Sequence, residues 1–197
     1  MIRKIYVLVV YIVALSILAG CGTSRPKAES WVIPQKENAD SGMIIGFFDY
    51  PKNKKENPEN NTIYLSEVSF MTKDKTVYFG NGEPNIALDN NYFVVPNLKP
   101  GKYYLVGIHA GKLSNELPPF DEKFAIDVKP GQIKFFGSYD YLEYQKTFLL
   151  AHAYSFNIRK TERPSELEMF QWLNRAGAGT GWEPAIKRRI RELGGQP

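Results

Sequence analysis

Phe93-Val94-Val95-Pro96-Asn97-Leu98-Lys99-Pro100-Gly101-Lys102-Tyr103-Tyr104-Leu105 sets the pattern of the chain. Two short runs of β-branched and aromatic residues flank a Lys-Pro-Gly turn. Such side chains suit the pleated, half-buried surface of a sheet. Proline and glycine supply the backbone angles that a turn between strands requires.

Outward from this stretch the same rhythm extends from residue 43 to about residue 158. Met43-Ile44-Ile45-Gly46-Phe47-Phe48 is the first run, followed over residues 51–61 by a polar loop with two prolines. Ile63-Tyr64-Leu65-Ser66-Glu67-Val68-Ser69-Phe70 comes next, then Thr76-Val77-Tyr78-Phe79 and an Asn81-Gly82 turn. Later runs cover residues 102–108, 123–128 and 132–139, and a last one lies near 153–158, alternating Tyr154, Phe156 and Ile158 with polar residues. Seven or eight short strands separated by turns predict a mainly β chain. Its expected form is an antiparallel sandwich, with a barrel as the alternative.

Past residue 160 the period changes. Ser165 and Glu168 have capping-box spacing, and Leu167, Phe170 and Leu173 fall on one helical face. Ala176-Gly177-Ala178-Gly179 stops that helix. Thr180 and Glu183 repeat the capping spacing, and Trp182, Ile186, Ile190 and Leu193 line a second helix. A helical hairpin packed on the sandwich is expected. The glycine-rich string 177–181 follows a helix rather than a strand, so it reads as a helix break and not as a phosphate cradle.

At the other end, Arg3 and Lys4 precede an apolar run over residues 5–19. A membrane span needs roughly 20 apolar residues, so this run has the proportions of a secretory signal. Leu18-Ala19-Gly20-Cys21 resembles the lipobox of bacterial lipoproteins. The resemblance implies cleavage before Cys21, lipid on its thiol and new amino terminus, and a place in the bacterial cell envelope. An uncleaved anchor with an incidental cysteine is the alternative. The residue after Cys21 is Gly22 rather than Asp, which is compatible with an outer membrane, facing the periplasm, if the organism has two membranes. The expected organisation is then a signal over 1–20, a lipidated tether over 21–41, the sandwich over 42–160 and two helices over 161–197. Within the tether, Trp31-Val32-Ile33 is an apolar island expected to dock as a first edge segment.

Two further segments carry a resemblance. The stretch 93–105 resembles the Pro-x-Leu-x-Pro-Gly-x-Tyr edge of transthyretin-like domains, a group that includes the regulatory-like domains beside carboxypeptidases. Residues 124–137, with Pro130-Gly131 at their centre, are similar to the matching hairpin of bacterial lipoproteins of that build. The resemblance spans residues 43–139 and implies a prealbumin-like sandwich of about seven strands. It carries no activity, since fold alone licenses none.

Chemistry is sparse. Cys21 is the sole cysteine, which excludes an internal disulfide. The 25 basic residues against 21 acidic ones leave only a small excess once Arg3 and Lys4 are removed, too weak to argue for nucleic acid. His109 and His152 lack partners at metal-ligand spacing, and no nucleophile elbow, Walker loop or dinucleotide fingerprint occurs. No metal or cofactor is therefore expected. Asp49, Asp121, Glu122 and Asp140 are the carboxylates that an acid–base pair would draw on, solvated loop residues being the simpler reading. Tyr139-Asp140-Tyr141-Leu142-Glu143-Tyr144 is dense in tyrosine, and exposed tyrosines cover partners or stack on sugars. His109, Tyr139, Tyr141 and Tyr144 form the candidate binding surface, against a cross-strand ladder as the alternative. Lys187, Arg188, Arg189 and Arg191 on the second helix suit either anionic headgroups or a solvated outer face.

These readings describe a non-enzymatic module, held at a membrane through Cys21, that binds or assembles with an envelope protein or wall polymer. A hydrolase using carboxylate or His109 chemistry is the alternative, and a purely structural lipoprotein is a third. A pocket in which His109 meets a carboxylate would favour the enzyme.

Overall fold

The computed structural model describes residues 27, 29–49, 65–79, 88, 91–110, 113–142 and 157–197. Cys21 and the signal, the 51–61 loop, the Asn81-Gly82 turn, Tyr144, His152, Tyr154 and Phe156 lie outside the described residues.

The described chain is mainly β, with nine strands and a C-terminal pair of helices. The strands are β1 (Gly42–Asp49), β2 (Leu65–Met71), β3 (Val77–Phe79), β4 (Tyr92–Leu98), β5 (Gly101–Ala110), β6 (Leu113–Glu116), β7 (Ala125–Val128), β8 (Ile133–Leu142) and β9 (Asn157–Thr161). The helices are α1 (Glu166–Ala176) and α2 (Glu183–Glu192). The first sheet has the order β4-β1-β8-β9, and the second β3-β2-β5-β6 with β7 also on β5.

The architecture departs from an all-antiparallel sandwich at one joint. β1 runs parallel to β8, with Met43 opposite Ile133 and Asp49 opposite Asp140. A parallel pair needs a long crossover. Here the intervening chain supplies it by building β4 and the whole second sheet. Both Pro-Gly turns act as corners rather than hairpins. Lys99-Pro100 carries the chain from β4 in the first sheet to β5 in the second, and residues 129–132 carry it back from β7 to β8. The hairpin expected over 124–137 is thus a sheet-to-sheet crossing. The Tyr103 hydroxyl donates to the Lys99 carbonyl at 2.6 Å and pins the first corner.

Three layers result. Between the sheets lie Ile44, Phe48, Phe93 and Val95 from the first and Val68, Phe70, Leu105 and Ile108 from the second. Phe48 stacks on Phe93 and on Tyr139 at 5.4 Å, and Phe70 meets Phe136 edge-on at 5.2 Å. On the opposite face of the first sheet, Met43, Ile45, Val94 and Ile133 pack against Met169, Phe170, Leu173, Trp182, Ile186 and Ile190 of the helical hairpin. β1 is therefore covered on both faces, which is why it reads as an unbroken apolar run.

The hairpin forms as its sequence predicts, with one correction. Ser165 and Glu168 make the capping box at α1. Thr180 and Glu183 do not make one at α2. The Thr180 hydroxyl donates to the Gly177 carbonyl at 2.6 Å, Glu183 accepts from the Gly179 N–H at 2.8 Å, and Trp182 is the N-cap. The six residues of the link, 177–182, turn the chain between the helices and also bring Trp182 into the core, and the Thr180 hydroxyl is engaged within the link instead of at an N3 position.

The apolar island at residue 31 docks on the helices instead of extending a sheet edge. The Ile33 N–H donates to the Ala176 carbonyl at 2.8 Å, and Ile33 is buried among the helix residues. The Trp182 indole N–H donates to the Pro34 carbonyl at 3.1 Å, and Trp31 stacks on Trp172. Asn97, in the left-handed region at φ 58°, donates to the Gln35 carbonyl and accepts from the Glu37 N–H. Residues 31–41, read as tether, thus form a strap on the folded domain.

Candidate functional site

The two ends of the sandwich differ. At one end the Pro-Gly corners and the strap close the structure, with the Gly131 N–H donating to the Asp40 carbonyl at 3.1 Å. At the other end β1, β8 and β5 finish and β2 and β9 begin. That end carries the polar residues of interest.

Asp49 and Asp140 are register partners on the parallel strands β1 and β8. Each follows a residue that points into the intersheet core, Phe48 and Tyr139, so both carboxylates face away from it. Neither stands alone. The Asn91 side-chain amide donates to Asp49 at 3.0 Å, and the Arg159 guanidinium donates to Asp140 at 2.7 Å from the adjoining strand β9. The arrangement is two polar pairs side by side, able to exchange hydrogen bonds with a polar partner.

His109 lies on the second sheet, on the face turned away from the core. Its register partner across β2 is Glu67, and its Nε2 is 3.6 Å from a Glu67 oxygen. The pair is charge-compatible but too long for a hydrogen bond. Ser69 sits diagonally across on the same face, opposite Gly107. His109 therefore meets a carboxylate, as an enzyme would need, on the outer face of the second sheet, where Glu67 is largely buried and His109 is partly open to solvent. His109 and the Asp49–Asp140 pair occupy different sheets and share no contact among the described residues.

The tyrosines divide. Tyr139 is partly buried against the core, stacked on Phe48 and tilted against Phe136, and burial pushes its hydroxyl above its ordinary pKa. It is not part of an exposed binding surface. The cause is a bulge: Ile45 pairs with Phe135 and Gly46 with Gly137, so Phe136 is an extra residue that reverses the alternation beyond it. Gly137, at φ 128°, makes that bulge possible. Tyr141 is described only as backbone, opposite Ile158, and Tyr144 lies outside the described residues.

Asp121 and Glu122 have structural duties. Asp121 caps the short turn Glu122–Phe124. Glu122 bonds Lys102 and accepts from the Tyr104 hydroxyl at 3.2 Å, and the Lys102 contact holds its carboxyl below the usual carboxylate range. The basic face of α2 is largely matched by acids: Lys187 pairs with Glu183 at 2.6 Å, and Arg189 with Glu166 at 2.9 Å and Glu192 at 3.0 Å. An open depression beside it is lined by Gly179, Thr180, Glu183, Pro184, Lys187 and Arg191.

Among the described residues, no group of three or more His, Cys, Asp or Glu side chains is placed to hold a metal ion. None of their helices is long and apolar enough to cross a membrane. Sequence reasoning missed the Glu67–His109 and Asp49–Asp140 pairings, because each depends on strand register that no local signal encodes. Compared with protein-family models, curated proteins and solved structures, the chain matches none.

Proposed function

We propose that the chain is a lipid-anchored protein of the bacterial cell envelope, and that its folded domain is a binding or assembly module. The observation that carries the reading is the asymmetry of the sandwich. One end is closed by corners and strap, while the other presents Asp49–Asn91, Asp140–Arg159 and Glu67–His109 at the ends of five strands. Loops carried on a rigid sandwich are a common site for recognition. Half-buried polar pairs of this kind, held at strand ends, suit a partner rich in hydrogen-bonding groups, an envelope protein or a wall polymer. The two-sheet core and the Pro-Gly corners between the sheets support a prealbumin-like reading of the sandwich.

The anchored half of the reading has a direct test. Cys21→Ser should move folded protein from the membrane to the soluble envelope fraction, and persistent membrane association would count against the lipid. For the module itself, crosslinking in living cells followed by purification of the anchored chain should recover one dominant partner or wall fragments. That yield should fall when Asp140 and Arg159 are both replaced by alanine. Undiminished recovery would remove this end of the sandwich from the interaction. Hydrolysis of wall or peptide substrates that disappears in His109→Ala would instead establish the enzyme.

A further inference from the structure

The strap begins at an ordered turn beside an exposed apolar residue. The backbone N–H groups of Ser30 and Trp31 both donate to the Lys27 carbonyl at 3.0 Å. Only residues 22–26 separate that turn from Cys21. A fully extended chain covers about 3.5 Å per residue, so Lys27 lies within roughly 20 Å of the cysteine, whatever path the chain takes.

Past the turn, alternate residues face alternate ways. Trp31 stacks on Trp172 with the rings nearly parallel, at 4°, and Ile33 is buried under α1 and α2. Val32, between them, points outward and is 60% exposed, more than Val77 or Phe120. Trp31 itself is only half-buried, and Lys27 is exposed.

We infer that this flank, Trp31 and Val32 with Lys27, lies in the headgroup layer of the membrane that holds the lipid on Cys21. The inference rests on the lipid-anchored reading above. Three properties favour a lipid surface over a protein partner. The short tether keeps the flank near the bilayer at all times. Indole rings partition to the interface, where an apolar body and a polar N–H are both satisfied. Arg25 and Lys27 set two positive charges beside the flank against the single negative charge of Glu29, an excess that anionic headgroups attract. The basic face of α2 is a weaker candidate, since Glu183, Glu166 and Glu192 already neutralise Lys187 and Arg189.

The test uses the full lipidated chain in vesicles of phosphatidylethanolamine and phosphatidylglycerol, with bromine on the acyl chains just below the headgroups. Tryptophan emission is the readout. The chain has three tryptophans, and Trp182 is fully buried in the core. Bromine should quench the emission, and Trp31→Phe should remove about half of that quenching or more. Val32→Asp should reduce it similarly with the thermal midpoint unchanged, since the site is exposed. Equal quenching in Trp31→Phe, or none in the wild type, overturns the inference. The mass of the N-terminal peptide from the same sample separates the two claims. Acylated Cys21 without quenching overturns the membrane-facing flank alone, whereas unmodified Cys21 overturns the anchored reading and the flank with it. A photocrosslinker at position 32 that captures a protein in cells, and not lipid, also overturns the inference.

Discussion

A methyl group on Gly46 would stand 2.4 Å from the Phe93 ring and 3.0 Å from the Gly137 carbonyl oxygen. The centre of the first sheet thus has no room for a side chain at that point. Gly46→Ala should destabilise the domain by about 1–3 kcal/mol through overpacking, measured by denaturant unfolding. Tyr103→Phe tests the corner in a different way. It removes the hydroxyl bond to Lys99 while keeping the ring, and should cost about 1 kcal/mol. Glu168 gives a pH signature. The Ser165 backbone N–H, with its hydroxyl and Arg163 in support, holds the Glu168 carboxyl below its ordinary pKa. A carboxylate stabilised in the folded state contributes above its unfolded pKa and is lost as pH falls through the depressed value. Wild type should therefore melt higher than Glu168→Gln at neutral pH, and the difference should close in acid. A constant gap across that range would refute the assignment.

At the scale of elements, the strap is the least expected piece and the most testable. Ile33→Ala should cost roughly 2–5 kcal/mol, as for a buried core residue, even though it lies outside every strand and helix. A cost near zero would mean that the strap contributes nothing to the helical layer. The sequence made some of these elements plain and concealed others. Alternation and turn residues revealed the longer strands, and Ser165 with Glu168 revealed the start of α1. β6, four residues long, carried too little pattern to be seen, and the last strand continues to Thr161, past the end near Ile158 that the alternation suggested. Pro-Gly reads the same whether the chain turns back within a sheet or crosses to another, so corners and hairpins were indistinguishable. Tyr139 reads as exposed from alternation alone because one extra residue, Phe136, shifts the register between Phe135 and Gly137 and turns Tyr139 toward the core. The candidate pairs were hidden for the same kind of reason: Glu67 and His109 are 42 residues apart and meet only through register.

At the scale of the whole molecule, the helical layer makes the first sheet a middle layer, with Ile45 and Val94 fully buried on its helix side. A chain ending after residue 161 would leave that apolar face open to water. It should bind a hydrophobic dye and aggregate, and a soluble, dye-silent truncation would show that the sandwich stands without its helices. The joint between β1 and β8 has a further consequence, for time and not for shape. Among the described residues β1 is the first strand to be synthesised, yet its parallel neighbour is complete only at Leu142, after most of the chain has been made. Through that interval a strand of Met, Ile and Phe waits with one edge unmatched. Pairings so distant along the chain make folding slow and expose early strands to the wrong neighbours. The order of synthesis thus makes a holding chaperone most valuable while β1 waits for β8.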